Sequence, residues 1–349
     1  MTKTTRRIIF YFLCAAFLVL TPAITLYSKG LTFDWANRRI VKTGGLFLKS
    51  TPDKADIWLN GEKKNQTPYF FSHLLPKNYL VKLESEDFHS WEKNLEVKGE
   101  LVTEARNIFL FPKNPPTELL AENVSSTIPV FLSSPEEKEK ENQAKKLALS
   151  SLGQIRQGNN IYFISKTNYN LYRTDLKNSS KEQISKEPLA EKGKYKIILG
   201  NASDRLAVIS SKNNLYLLNK DTGIFELSSA GVSQAKFSSD GKKLMFFSNQ
   251  EIWILFLEDF LVQPYKKAGE KELITRFSQK ITDVVFFPDN EHLAFVVGDK
   301  IKITELDGRD RRNTIDFLTV PAPEIYFDAE KETFYFLTGE KLFSLKLKK

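Results

Sequence analysis

The sequence predicts an all-β protein held on one N-terminal transmembrane helix, and three observations carry that expectation. Ile8 to Tyr27 is an uncharged apolar run. From residue 45 onward, short apolar stretches alternate with Gly, Asn, Asp and Pro, and Phe, Tyr and Trp make up 12% of the chain; both features mark strands. In roughly the last two hundred residues one strand-pair unit recurs. The expected order is transmembrane helix, small β-sandwich, then a β-propeller of about five or six blades.

A helix rises about 1.5 Å per residue, so about twenty residues reach about 30 Å, the depth of a hydrocarbon core. Lys3, Arg6 and Arg7 crowd the short side of the run, and positive charge beside a span stays cytoplasmic. Residues 1–7 are therefore expected as a cytoplasmic leader, 8–27 as a signal anchor and 28–44 as a juxtamembrane linker to an extracytoplasmic body. Lys29, Arg38, Arg39 and Lys42, beyond the far end, act against that orientation. A cleaved signal peptide is the competing reading, since the densest part, Ile8 to Leu20, is thirteen residues long. Thr21-Pro22-Ala23 is an imperfect cleavage site, however, and Ile24, Leu26 and Tyr27 follow it, so the uncleaved anchor is expected. Cys14, the only cysteine, sits in mid-span after Tyr11-Phe12-Leu13; this context does not suit lipidation, and one cysteine makes no internal disulfide.

The formal net charge of +8 is unevenly spread. Residues 1–50 hold eight Lys or Arg against one Asp, whereas the remainder holds 43 basic and 42 acidic residues. A body so nearly neutral lacks the basic face that phosphate backbones require, and no nucleic-acid partner is expected. The juxtamembrane basic residues suit anionic lipid headgroups.

From Gly45 to Phe111 the chain alternates strand and turn about six times. Ala55, Ile57 and Leu59 fall on one face of a strand that ends at Asn60-Gly61, the pair that best adopts a type I′ hairpin turn. Tyr79 to Leu83 and Trp91 to Val97 alternate likewise, so residues 45–112 read as a small antiparallel sandwich. Ser50-Thr51-Pro52-Asp53-Lys54-Ala55, Leu59-Asn60-Gly61, Thr67-Pro68, Leu74-Leu75-Pro76 before Tyr79-Leu80-Val81-Lys82-Leu83, and Asp87-Phe88 with Trp91 together resemble the PEGA domain over about 48–112. Lys54, Gln66, Asn78 and Asp87 stand where that pattern has glycine; Asn and Asp tolerate positive φ, and Lys tolerates it less well. The resemblance implies an envelope-associated β module with no catalytic residues.

Residues 113–150 read as a linker, with the Glu/Lys-rich stretch from Pro135 to Lys146 as a solvated loop or exposed helix. Val130 to Pro135 with Lys145 to Leu149 is a candidate interrupted sixth blade. Over 151–349, Ile161, Leu206, Leu244, Leu293 and Thr333 mark equivalent points of one repeat, at steps of 45, 38, 49 and 40 residues. That spacing belongs to propeller blades. Leu244 to Phe247 and Leu293 to Val297 are apolar on both faces, as inner strands covered by neighbouring blades would be. With Phe237 to Gly241 and its variant Phe286 to Asn290 before those strands, the region resembles TolB-like and WD40-like propellers.

Chemistry is sparse. His73, His89 and His292 are far apart, read as surface or turn residues and show no carboxylate or thiolate partner at ligand spacing. Asp240 and Asp289 read as turn formers bonding their own backbone. Trp35, Trp58, Trp91 and Trp253 could stack on sugars, but aromatics at alternating strand positions read as core. No catalytic, cofactor-binding or metal-ligating residue is assigned, and no cofactor is expected. The expectation is a non-enzymatic, membrane-anchored, extracytoplasmic binding or scaffold protein of a bacterial cell envelope, contacting an envelope protein or cell-wall glycan. The alternative is an envelope hydrolase or lyase with carboxylates gathered in the propeller funnel. Paired Asp and Glu of raised pKa there would favour the enzyme, and an aromatic, neutral funnel would favour binding.

Overall fold

The computed structural model describes residues 2–147, 151–177, 180–201, 205–328 and 331–346. The chain forms two compact units, one of 1–113 with 309–313, the other of 114–308 with 314–348.

The first unit opens with helix α1, Lys3–Ser28, whose N-cap Thr2 accepts a hydrogen bond from Thr5 N at 3.3 Å. No residue of α1 is buried. Within the stretch 28–44, expected as a juxtamembrane linker, the chain forms a hairpin, β1 (Leu31–Asp34) and β2 (Arg39–Lys42), paired Phe33 to Ile40. Seven strands follow: β3 (Gly44–Thr51), β4 (Asp56–Leu59), β5 (Glu62–Gln66), β6 (Tyr69–Leu74), β7 (Asn78–Glu84), β8 (Trp91–Glu96) and β9 (Val102–Phe109). They form a three-stranded sheet, β6-β3-β9, and a four-stranded sheet, β5-β4-β7-β8. Period-2 alternation buries Ala55, Ile57 and Leu59 with Leu46, Val81 and Trp91 in one core. The sandwich is not wholly antiparallel, because β3 and β9 run parallel; the chain changes sheets between β8 and β9. Residues 309–313 finish this unit, with Asp310 and Asn313 accepting from the backbone N–H groups of Asn94 (2.8 Å) and Glu92 (3.2 Å) on edge strand β8.

The second unit is a β-propeller of five four-stranded sheets. Blades 1 to 4 take their strands in chain order from 154–183, 195–229, 234–276 and 281–319. Blade 5 takes three strands from 324–346, and its fourth is β10, Glu118–Ala121, from ahead of blade 1. The candidate sixth blade is corrected. Val130 to Leu132 belongs to a short helix α2, Ile128–Leu132, and Lys145 and Lys146 end helix α3, Pro135–Leu147. Ala148 and Leu149 lie outside the described residues. Pro129 at the start of α2 is the physical reason, since proline suits a first helical turn and breaks a strand ladder.

A second correction concerns blade order. The fully buried strands Leu206–Ser210, Lys243–Phe247 and His292–Val297 are second from the axis, not innermost. Inside them lie the more polar strands Tyr195–Leu199, Gln234–Phe237 and Ile281–Phe286. A second strand has a blade on each face and a strand on each edge, so both its side-chain rows are buried, whereas an innermost strand borders the channel.

Candidate binding site at the channel mouth

The innermost strands place a ring of polar side chains around a cavity of about 600 Å³. Lys196 comes from blade 2, Gln234 and Lys236 from blade 3, Asp283 from blade 4, and Glu324 and Tyr326 from blade 5, while Thr127 and Pro129 at the start of α2 close one side. Alternation sends Lys196 and Lys236 toward the opening, while Tyr195, Ile197, Ala235 and Phe237 pack within and between the blades. In blade 4 a bulge between Ile281 and Asp283 shifts the register and turns Asp283 toward the cavity.

The charges are held differently. Asp283 accepts from the N–H groups of Val284 (2.9 Å) and Ile325 (3.1 Å), tying blade 4 to blade 5. Glu324 accepts from Ile128 N at 3.1 Å, fixing the start of α2. The ammonium groups of Lys196 and Lys236 make no hydrogen bond or ion pair with the described residues, and Lys236 Nζ lies 5.7 Å from the centre of the Tyr326 ring. Both lysines are exposed to the cavity's solvent, but the protein crowding the cavity walls holds their ammonium groups below the usual lysine range, the Asp283 charge offsetting part of it. Burial also raises the Asp283 carboxyl, against the two N–H donors and with Glu324 adding repulsion. The mouth is not the aromatic, neutral funnel: it holds Asp283, of raised pKa, and Glu324 as the enzyme alternative asked, but each accepts from backbone N–H groups, and Lys196 and Lys236 stand with them.

None of these residues was singled out from the sequence as lining a site. The available signal was the polar member of each alternating strand that precedes a wholly apolar one. Of the residues that were singled out, Asp240 and Asp289 are turn formers. Asp240 accepts from Lys242 N (3.1 Å), and Asp289 accepts from Glu291 N (2.8 Å) and His292 N (3.0 Å). His292 is corrected: it is buried, and its Nδ1 lies 2.6 Å from Asp289 Oδ2, a carboxylate partner three residues away. Burial opposes charge on its imidazole, but the Asp289 carboxylate outweighs this and raises its pKa. His73 stacks on Tyr27, centroids 4.1 Å apart, and His89 N donates to Phe111 O at 2.8 Å. Trp91 is core, Trp253 stacks on Phe246 and donates to Glu251 at 2.9 Å, Trp58 is half-buried, and Trp35 is exposed. Among the described residues no group of three or more His, Cys, Asp or Glu is placed to hold a metal ion.

In the sandwich, the residues that carried the resemblance form one hydrogen-bonded chain. Ala55 N–H donates to Thr67 Oγ1 (3.0 Å), the Thr67 and Ser50 hydroxyls pair at 2.6 Å, and Ser50 donates to Pro52 O at 2.7 Å. Each hydroxyl gives one proton and accepts one, so the two buried side chains close the 50–55 turn against residue 67. Asn60 and Gly61 have φ of 51° and 84°, as a type I′ turn requires, and Lys54 and Asp87 do adopt positive φ, 65° and 64°.

Residues 43–108 match the PEGA domain. The match covers the whole strand set of the sandwich to within one residue at either end, and the hydroxyl relay lies inside the PEGA domain. No curated protein matches the chain. Among solved structures, the chain is similar to the β-propeller domain of Cps50 (Swd1) from Myceliophteria thermophila, at 12% identity and a TM-score of 0.40, over 55% of this chain and 67% of that one. It is also similar to the dihydro-heme d1 dehydrogenase NirN, at 16% identity and 0.34, over 52% of this chain and 40% of that one. An auxiliary nutrient binding protein from Bacteroides thetaiotaomicron is similar at 10% identity and 0.34, over 87% and 82%.

Proposed function

We propose that this chain is a membrane-tethered binding or scaffold protein of the cell envelope, with its N-terminus cytoplasmic and its PEGA domain and propeller outside. The observation that carries this reading is α1: 26 residues, overwhelmingly apolar, with none buried. Leaving so much apolar side chain in water costs about 25 cal/mol per Å², and a bilayer removes that cost. Lys3, Arg6 and Arg7 in the first two turns of the helix, ahead of its apolar run, support the orientation. Protease added to intact cells should digest the body. Protection until the membrane is broken would overturn the extracytoplasmic placement, and quantitative release by alkaline carbonate would overturn the tether.

Binding is assigned to the channel mouth, where Lys196 and Lys236 stand without a protein counter-charge in contact while both carboxylates are already bonded to backbone. A partner group that fits is anionic or rich in acceptors, on a protein or a glycan. Cross-linking from the mouth should capture such a partner, and the double variant Lys196→Ala, Lys236→Ala should lose most of that capture with its thermal unfolding unchanged. Equal capture by the double variant would remove the mouth from consideration. A hydrolase or lyase is the second reading, favoured by the raised pKa of Asp283 at a cavity. Turnover of a glycan or peptide by the purified body, abolished in Asp283→Asn, would establish it.

A further inference from the structure

The hairpin β1–β2 leaves its largest apolar side chains in solvent. Trp35 is 83% exposed, Ile40 54% and Phe33 40%; Phe33 and Ile40 face each other across the two strands, and the Phe33 and Trp35 rings meet edge to face at 4.8 Å. This is not a loose tail. Asp34 shapes its tip by accepting from Ala36 N (3.1 Å), Asn37 N (3.3 Å) and Asn37 Nδ2 (2.8 Å). Its base is closed by Thr43, whose N–H and hydroxyl both donate to Gly30 O, at 2.7 and 2.8 Å. Gly30 N in turn donates to Tyr27 O at 3.0 Å, so the hairpin begins directly at the helix end, and β1 packs beside α1.

We infer that the hairpin Leu31–Lys42 is a membrane foot that lies in the headgroup layer at the outer end of α1, with Phe33, Trp35 and Ile40 turned toward the acyl boundary. The inference rests on the reading of α1 as a membrane span. Only two residues separate Ser28 from Leu31, and the polar layer on each side of a hydrocarbon core is about 5–8 Å deep, so an element packed beside the end of a spanning helix starts inside that layer. Tryptophan favours that depth because its ring is apolar and its N–H seeks a polar partner. Arg38 and Arg39, exposed beside Trp35, complement anionic lipid. A folded, two-stranded unit of this size has little core of its own, which makes a bilayer the surface able to cover its apolar face.

The test uses the full chain reconstituted into vesicles of phosphatidylcholine and phosphatidylglycerol, with and without acyl chains brominated near the headgroup. Trp35 is read as the difference in emission between the native protein and Trp35→Phe, a change at an exposed position that spares the fold. The expected result is loss of most of the Trp35 component to the brominated lipid, together with a blue shift on reconstitution. Absence of quenching in vesicles that still float with the protein would overturn the foot while leaving the span intact; failure of the protein to float would instead remove the span itself. Unquenched Trp35 that is shielded from aqueous acrylamide as protein density rises would assign the face to a second copy and equally overturn the inference.

Discussion

At the scale of single residues, two polar arrangements, each with a buried member, carry measurable stability. The His292–Asp289 pair sits beside the Glu291 carboxylate and Lys243 ammonium, which are 2.6 Å apart. Because folding raises the imidazole pKa above its ordinary 6.5, the stabilisation from His292 is complete below that value and is lost as pH rises through the folded pKa. Asp289 is held below 3.8 against its burial by His292, so its contribution is lost in the opposite direction, as pH falls through its folded value. Melting temperature should therefore decline as pH rises from 6.5 through the folded value, and His292→Gln should flatten that decline while costing about 1–3 kcal/mol, because Asp289 loses the imidazole but keeps its two backbone N–H donors and contact with solvent. The second arrangement is the Ser50–Thr67 relay. Thr67→Val strands the Ala55 N–H and should cost about 1–3 kcal/mol in urea unfolding, and adding Ser50→Ala should cost less than the two single changes summed.

At the scale of elements, the packing between inner strands is close enough to predict from one hydrogen's worth of space. A Cβ built on Gly153 would lie 2.1 Å from the Tyr195 carbonyl oxygen, and Tyr195 N donates to Leu152 O at 2.8 Å. Backbone meets backbone there, so Gly153→Ala should lower the propeller's unfolding free energy by at least about 1–3 kcal/mol. The same scale shows which elements the sequence revealed. Asn60-Gly61 and the wholly apolar second strands were legible because one local cause, turn geometry or burial on both faces, decides each. The innermost strands were not, because four to six residues with one polar row resemble any surface strand until the ring sets them facing one another. For the same reason the channel lysines were invisible as a site: Lys196 and Lys236 are 40 positions apart and meet only through blade geometry. The hairpin after α1 escaped because its four-residue strands are too short for periodicity, and α2 because Val130, Phe131 and Leu132 favour strands while Pro129 favours a helix start.

At the scale of the whole molecule, blade 5 joins residues more than two hundred positions apart, since β10 pairs Leu119 with Phe343 and Glu118 with Ser344. Replacing 118–121 by Gly and Ser should leave blade 5 with three strands and an open edge, and limited proteolysis should then cut within 324–346 before it cuts blades 2 and 3. A heat-unfolding trace that keeps one sharp transition at the native temperature after that replacement would show the clasp to be dispensable. The arrangement also imposes an order in time. A ribosome adding about 5–20 residues per second finishes β10 on the order of ten to forty seconds before its partner at 341–346 exists. Throughout that interval a strand with two exposed leucines has no ladder to join, which leaves early copies an edge by which to pair with one another.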